Sequence, residues 1–345
     1  MQIEQPIAVT LLTGFLGAGK TTLINRILRN PALSDTAVIV NEFGDVAIDH
    51  LLVEKADDGV VELGGGCLCC AVRGELADTL TMLLQRGRPP RRAIVETSGL
   101  ADPVPILQML AGHPILASSC RLAGIITVVD MVNGAASLDA FEVARSQVAV
   151  ADRIICTKME MAAGSGDLPA RLRTLNPRAE LLDGREAAAA TLLDDGLTAF
   201  RGTLAMGCAH DDNHNHSTHH HTEFSSVSLT HDQAIPQEAI EGFLDLLATQ
   251  QGEEILRIKG IVATAEQPDQ PLIVHGAQRL LHAPERLAHW PEGAARQTRL
   301  VVIGHGLDTD YIHQIFAAFT SRPAVDTPDR TALENNPLAI GGFRF

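Results

Sequence analysis

Gly14 to Thr21 read GFLGAGKT and match the pattern G-x-x-x-x-G-K-[ST]. The residue types say what such a run can hold. Gly14, Gly17 and Gly19 let successive backbone N–H groups turn toward an anion, and the helix that follows adds its positive dipole end. Lys20 can reach the outer phosphates of a nucleotide and Thr21 can hold Mg²⁺, with Ala18 and Thr22 in the same cradle. A glycine-rich turn that binds nothing is the bland alternative. The β-branched run before the loop and the helical pattern Thr22–Arg29 after it favour phosphate binding.

Two later segments could act on the same ligand. The run Ala93–Val95 delivers Glu96, then Thr97, Ser98 and Gly99. A strand-end carboxylate beside a phosphate loop can stand behind Mg²⁺, and the glycine can sense a third phosphate. A helix cap or solvated loop acid is the alternative for Glu96. The run Arg153–Cys156 leads into Thr157, Lys158, Met159 and Glu160. This TKME resembles the guanine-reading N-K-x-D, whose acid accepts two hydrogen bonds from the base edge while the Lys stem packs along the ring.

A second chemistry is written in thiols. Residues 64 to 70 read GGGCLCC, so Cys67, Cys69 and Cys70 sit on a glycine-rich turn after the run Val60–Leu63. Thiolates are soft donors suited to Zn²⁺ or Cu⁺, and Cys-x-Cys spacing lets two or three sulfurs face one ion. A redox role competes with metal binding. Glu42, with Asp45 and Asp49 nearby, could complete a tetrahedral site or touch Mg²⁺, or be a solvated loop acid. His210, His214, His216, His219, His220 and His221 form a tract that can collect Zn²⁺, Ni²⁺, Co²⁺ or Cu²⁺ without selectivity. His231, His275, His282, His289, His305 and His313 stand singly and read as ordinary structural or surface histidines.

These groups need a scaffold that brings loops to one edge. Over the first 200 or so residues, β-branched runs at Ile7–Leu12, Ala37–Val40, Val60–Leu63, Ala93–Val95, Gly124–Val129 and Arg153–Cys156 alternate with helical patterns. Continuous apolar strands between amphipathic helices imply α/β architecture with a mostly parallel sheet covered on both faces. Residues 208–222 then hold almost nothing that could fill a core and read as a linker. After it, strands at Phe224–Leu229, Glu254–Val262, Pro271–Ala277 and Thr298–Gly304, with helices at Pro236–Gln250 and Thr309–Phe319, predict a smaller α+β domain. The expected division is 1–205, a His-rich linker at 206–222, and 223–345.

The bulk numbers bound the partners. A chain of 345 residues, 46% apolar, suggests two cores. The net charge of −15 disfavours nucleic acid or an anionic membrane. No apolar run approaches the roughly 18 residues of a membrane span, and Met1 to Val9 lack a basic leader and a cleavage pattern. The six cysteines, three of them within four positions, suit a reducing compartment, so a cytoplasmic protein is expected.

Taken together, LLTGFLGAGKTT, NEFGD, GGGCLCC, ETSGLADP, ILRIKGIV, IVHG and RLVVIGHGLD resemble the CobW-type GTPases, a group of GTP-dependent metallochaperones, over nearly the whole chain. The resemblance implies a P-loop GTPase domain with Glu96 in place of the usual Asp, a metal site at Cys67, Cys69 and Cys70, and a smaller C-terminal domain. Members are linked to zinc, cobalt or iron delivery, and a His tract before the second domain is common in the zinc-related ones. The chain departs from the pattern where the family's guanine-reading acid is usually Asp: Glu160 adds a methylene, and Thr157 replaces the usual Asn. A carboxylate remains for the guanine N1 and N2 donors, so GTP is expected over ATP.

The expected activity is GTP hydrolysis by water, with Lys20, Thr21 and Glu96 as its machinery and Mg²⁺ as cofactor. It would be coupled to capture and release of a transition metal, Zn²⁺ first and Co²⁺ second. The partners are GTP and a client metalloprotein, with a homodimer as one open assembly. Three rivals stand beside it: a cobalt chaperone in corrin assembly, a passive zinc store with a vestigial nucleotide site, and a small-molecule kinase.

Overall fold

The computed structural model describes residues 6–30, 35–40, 60–62, 71–161, 167–187, 224–282, 284–291 and 295–320. Glu42, Asp45, Asp49, Cys67, Cys69, Cys70 and the His210–His221 tract, with the linker expected around it, lie outside the described residues.

The first unit is a parallel sheet of β1 (Ile7–Thr13), β2 (Thr36–Val40), β3 (Val60–Glu62), β4 (Arg92–Glu96), β5 (Cys120–Asp130), β6 (Arg153–Thr157) and β7 (Glu180–Asp183), in the order β3-β2-β4-β1-β5-β6-β7. Its helices are α1 (Lys20–Leu28), α2 (Ala71–Leu84), α3 (Val104–Gly112), α4 (Leu116–Ser119), α5 (Gly134–Ala140), α6 (Glu142–Ala149) and α7 (Leu168–Leu175). The strands are apolar on both faces because both faces are covered. Val9, Leu11, Ile39 and Val95 pack with α2 and α3, while Leu12, Val38, Val40 and Ile94 alternate to the side that holds α1. Six strands fall where the sequence places them; β7 was not expected.

β1 lies between β4 and β5, both of which come later in the chain. Strand order therefore reverses around β1, and the reversal opens a crevice at the carboxyl ends of these strands. The GFLGAGKT run leaves β1 at that point, and Glu96 leaves β4 in register with Leu12.

The second unit is an antiparallel sheet of β8 (Phe224–His231), β9 (Ile255–Val262), β10 (Leu272–Ala277), β11 (Leu280–Leu281), β12 (Glu285–Arg286) and β13 (Thr298–His305). Its main path is β11-β10-β9-β13-β8, and β12 pairs with β10. Helices α8 (Gln237–Gln251) and α9 (Thr309–Thr320) cover one face through Phe243, Leu247, Ile312 and Phe316 against Leu300 and Val302. The alternate residues Val301 and Ile303 turn the other way, onto Ala149 at the end of α6. Ala277 of β10 joins the apolar cluster of the first unit, and Gln278 pairs with Gln108 on α3.

The same junction holds a buried ion triad. Asp152, in the turn into β6, accepts hydrogen bonds from the Ile125 N–H at 2.8 Å, Arg257 Nη2 at 2.8 Å and Lys259 Nζ at 2.5 Å. Arg257 also donates to the Val150 carbonyl. Burial alone would raise the Asp152 carboxyl, but the two cations from β9 outweigh it and hold it well below the usual carboxylate range. His275 and His282 lie beside this triad. Among the described residues no helix is long and apolar enough to cross a membrane.

Candidate functional site

The phosphate loop takes the backbone shape its glycines permit. Gly14 has φ 141, and a Cβ built there would stand 2.3 Å from the Val128 carbonyl oxygen, so no other residue fits. Gly17 and Gly19 also lie at positive φ, and the Ala18 N–H donates to the Phe15 carbonyl at 3.2 Å. Helix α1 starts at Lys20, with Gly19 as its N-cap and no side-chain cap, so its first N–H groups open toward the loop. Lys20 is nearly buried and folds back over the loop, its Nζ donating to the Gly14 carbonyl at 2.9 Å. Such a cradle can hold the phosphates of a nucleotide.

Glu96 is 2% exposed at the end of β4. The Thr97 N–H donates to the Leu12 carbonyl at 2.9 Å, and Thr97 Oγ1 to Thr13 Oγ1 at 2.8 Å, which fixes the strand end beside the start of the loop. Gly99 then presses against the loop itself: a Cβ there would lie 2.7 Å from the Leu16 nitrogen. Thr21 and Glu96 supply hard oxygen donors, the chemistry that fits Mg²⁺.

The TKME segment is tied to the same loop. Thr157 Oγ1 donates to the Ala18 carbonyl at 2.7 Å, so the hydroxyl bridges to the cradle in spite of the missing Asn amide. Lys158 sits at φ 57, a left-handed conformation that a long side chain adopts only when its surroundings hold it there. Its Nζ pairs with Asp130 Oδ2 at 2.7 Å. Glu160 is exposed beyond it. Among the described residues the two thiols are not ready metal ligands: burial pushes Cys120, at the opposite end of the sheet, up to about 12, and burial and then Asp183 push Cys156 up to about 11.

Two residues that the sequence reading did not single out belong to this edge. Asp130 ends β5 as Glu96 ends β4, and that shared pattern could have marked it. Its carboxyl is raised by burial, but bonds from Lys158, Asn133 and the Val132 N–H bring it below the usual range. Arg26 on α1 donates to the carbonyls of Gly184 and Ala187, binding the loop after β7 to the phosphate-loop helix. The Arg185 guanidinium in that loop holds Asp183 down at about 2.

Residues 8–183 match the family model for the CobW/HypB/UreG nucleotide-binding domain, and residues 224–320 match the cobalamin synthesis protein cobW C-terminal domain. The zinc chaperone YjiA of Escherichia coli strain K12 is 32% identical over 293 residues, covering 80% of this chain and 87% of that protein. The zinc chaperone CobW of a Sinorhizobium species is 32% identical over 339 residues, covering 88% and 94%. Among solved structures, Zn(II)-bound YjiA GTPase from E. coli superposes with a TM-score of 0.62 at 28% identity, covering 92% of this chain and all of that one.

Proposed function

Since the chain belongs to the CobW/HypB/UreG family, we propose that it is a GTP-hydrolysing zinc chaperone, loading zinc onto a client metalloprotein under control of its nucleotide. The observation that carries this reading is the arrangement around β1: a glycine cradle closed by Lys20, with Glu96, the Gly99 loop and Thr157 all fastened to it. In this reading Lys20 and the loop amides stabilise the charge that develops on the transferring phosphoryl group, and a water is the nucleophile. Thr21 and Glu96 would hold Mg²⁺, which when bound supplies charge neutralisation on the outer phosphates. Glu160 would read the guanine edge, with the Lys158 stem along the ring. Gly99 would report the third phosphate.

Zinc is the cargo. Cys67, Cys69 and Cys70 would take it as thiolates, with Glu42 completing the set, and the His210–His221 tract would collect ions at lower affinity. Chain order supports coupling of the two sites, because the Glu42 and Cys67–Cys70 segments follow β2 and β3 on the edge where β1 and β4 present the cradle and Glu96. Zinc affinity should therefore rise with a non-hydrolysable GTP analogue and not with GDP, by a coupling of about 1–3 kcal/mol that must reappear in analogue affinity when zinc is bound. Chelator-competition titrations in the three nucleotide states test this, with Cys67, Cys69 and Cys70 changed to Ser as the control that removes the coupling. Equal zinc affinity in all three states would leave a GTPase that is no chaperone.

A further inference from the structure

The loop Ser98–Pro103, which joins Glu96 to α3, is held by residues of α6. Gln147 is 1% exposed and its Nε2 donates to two carbonyls, Gly99 at 3.2 Å and Ala101 at 3.0 Å. With carbonyls on that side the amide has one orientation, and its Oε1 turns away, buried and without a donor among the described residues. One residue earlier, Ser146 Oγ donates to Asp102 Oδ1 at 3.1 Å, and that same oxygen accepts the Val104 N–H at the start of α3. Gln147 is itself anchored, since its carbonyl accepts the Thr127 hydroxyl of β5 at 2.6 Å.

Gly99 has to lack a side chain because Leu16 is too close, and so it is the residue whose peptide planes are least restricted by its own chemistry. The restraint comes from outside, through Gln147. We infer that Gln147 is a positioning residue for GTP hydrolysis, holding the Gly99 segment against the phosphate loop in the arrangement the transition state requires. The inference rests on the GTPase reading above and adds to it a residue that touches neither nucleotide nor metal. A group that acts by fixing the geometry of the loop lowers the barrier without adding to ground-state affinity, so its loss should appear in kcat and spare KM.

The test is steady-state GTP turnover of the full chain alongside GDP affinity. Gln147→Met keeps length and burial but donates nothing; kcat should fall at least about tenfold, with KM and the GDP dissociation constant within about twofold of the parent. Gln147→Glu adds a readout that a purely structural role would not give. Its carboxylate cannot donate, but its protonated form offers one O–H, so its kcat relative to the parent should recover as pH is lowered. Should Gln147→Met fail to fold, Ser146→Ala removes only the hydroxyl bond to Asp102 and should lower kcat two- to threefold with KM unchanged. Parent-like kcat in Gln147→Met, or equal losses in kcat/KM and GDP affinity, would overturn the inference alone. Absence of turnover in the parent would overturn it together with the reading on which it rests.

Discussion

Two aspartates mark opposite ends of the β5–β6 strand pair, and they live under different rules. Asp130, at the carboxyl end of β5, pairs with one lysine, Lys158, which is 35% exposed and comes from the adjacent strand end. Asp152, at the entry to β6, meets two cations from another domain, and its own side chain and those of Arg257 and Lys259 are 7%, 3% and 13% exposed. Both carboxyls are held below their ordinary range. The difference lies in what could replace the partner. At the nucleotide edge, solvent or a ligand can take over the charge of the partly exposed Lys158; at the domain junction both cations are almost closed off from water and are held by β9. The fold thus keeps exchangeable pairs where ligands arrive and a locked triad where two cores must stay together.

The largest effect that follows is on stability. Asp152→Ala would leave two cations buried without their anion, a loss of about 3–5 kcal/mol, and urea unfolding should show the midpoint falling sharply. Because the cations belong to the second domain, limited proteolysis should also find the junction opened. A loss below about 1 kcal/mol would make the two ends of the strand pair equivalent and break the contrast.

The nucleotide end should respond in the opposite manner. Lys158→Ala removes an ion pair that is partly in water, and its effect on stability should stay within about 1 kcal/mol. GTP affinity should fall roughly tenfold, as the stem proposed to pack along the base and the anchor at Asp130 are lost together. Isothermal titration of GTP, with urea unfolding of the same preparation, separates the two outcomes. Unchanged affinity would show that Lys158 serves the loop conformation alone.

How much of this could be read in advance depended on whether a residue's role was local. The phosphate loop, Glu96 and Thr157–Lys158 were legible because fixed spacing next to a strand end encodes their place, and the strands because both faces are apolar. β7 was missed because its four residues, ELLD, are half-exposed at the sheet edge and carry too little pattern. Arg26 bonds to Gly184 across 158 positions, and Arg257 meets Asp152 across 105. No window of sequence contains both partners. Gln147 carries no motif of its own; its meaning lies in two carbonyls more than forty positions earlier. The thiol and histidine chemistry, the loudest signal in the sequence, lies outside the described residues, and its part in the site remains a proposal.

The smallest effect is a pH dependence that belongs to the junction alone. His275 and His282, read from sequence as ordinary, are part-buried there with rings 6.4 Å apart. Burial, with Lys259 and Arg257 next to it, keeps His275 well below its usual range against the weaker pull of Asp152; burial and Arg257 bring His282 to about 4. In the unfolded chain both would take up a proton near pH 6.5. Between about 6.5 and 4 the unfolded state therefore binds more protons than the folded one, and stability must fall as pH is lowered through that window. Asp152 acts in the same direction in a more acidic window: its depressed carboxyl stabilises the fold above roughly pH 4, the unfolded value, and that contribution is lost only in more acidic solution. Urea midpoints at pH 7 and pH 5 should thus differ through the histidines while the ion triad stays intact. His282→Gln, which carries no charge at either pH, should reduce the difference. Lys158→Ala, at the far end of the strand pair, should leave it unchanged. An identical pH slope in His282→Gln and the parent would mean that the junction takes up protons as readily folded as unfolded, and the contrast between a locked end and an exchangeable end would have to rest on Asp152 alone.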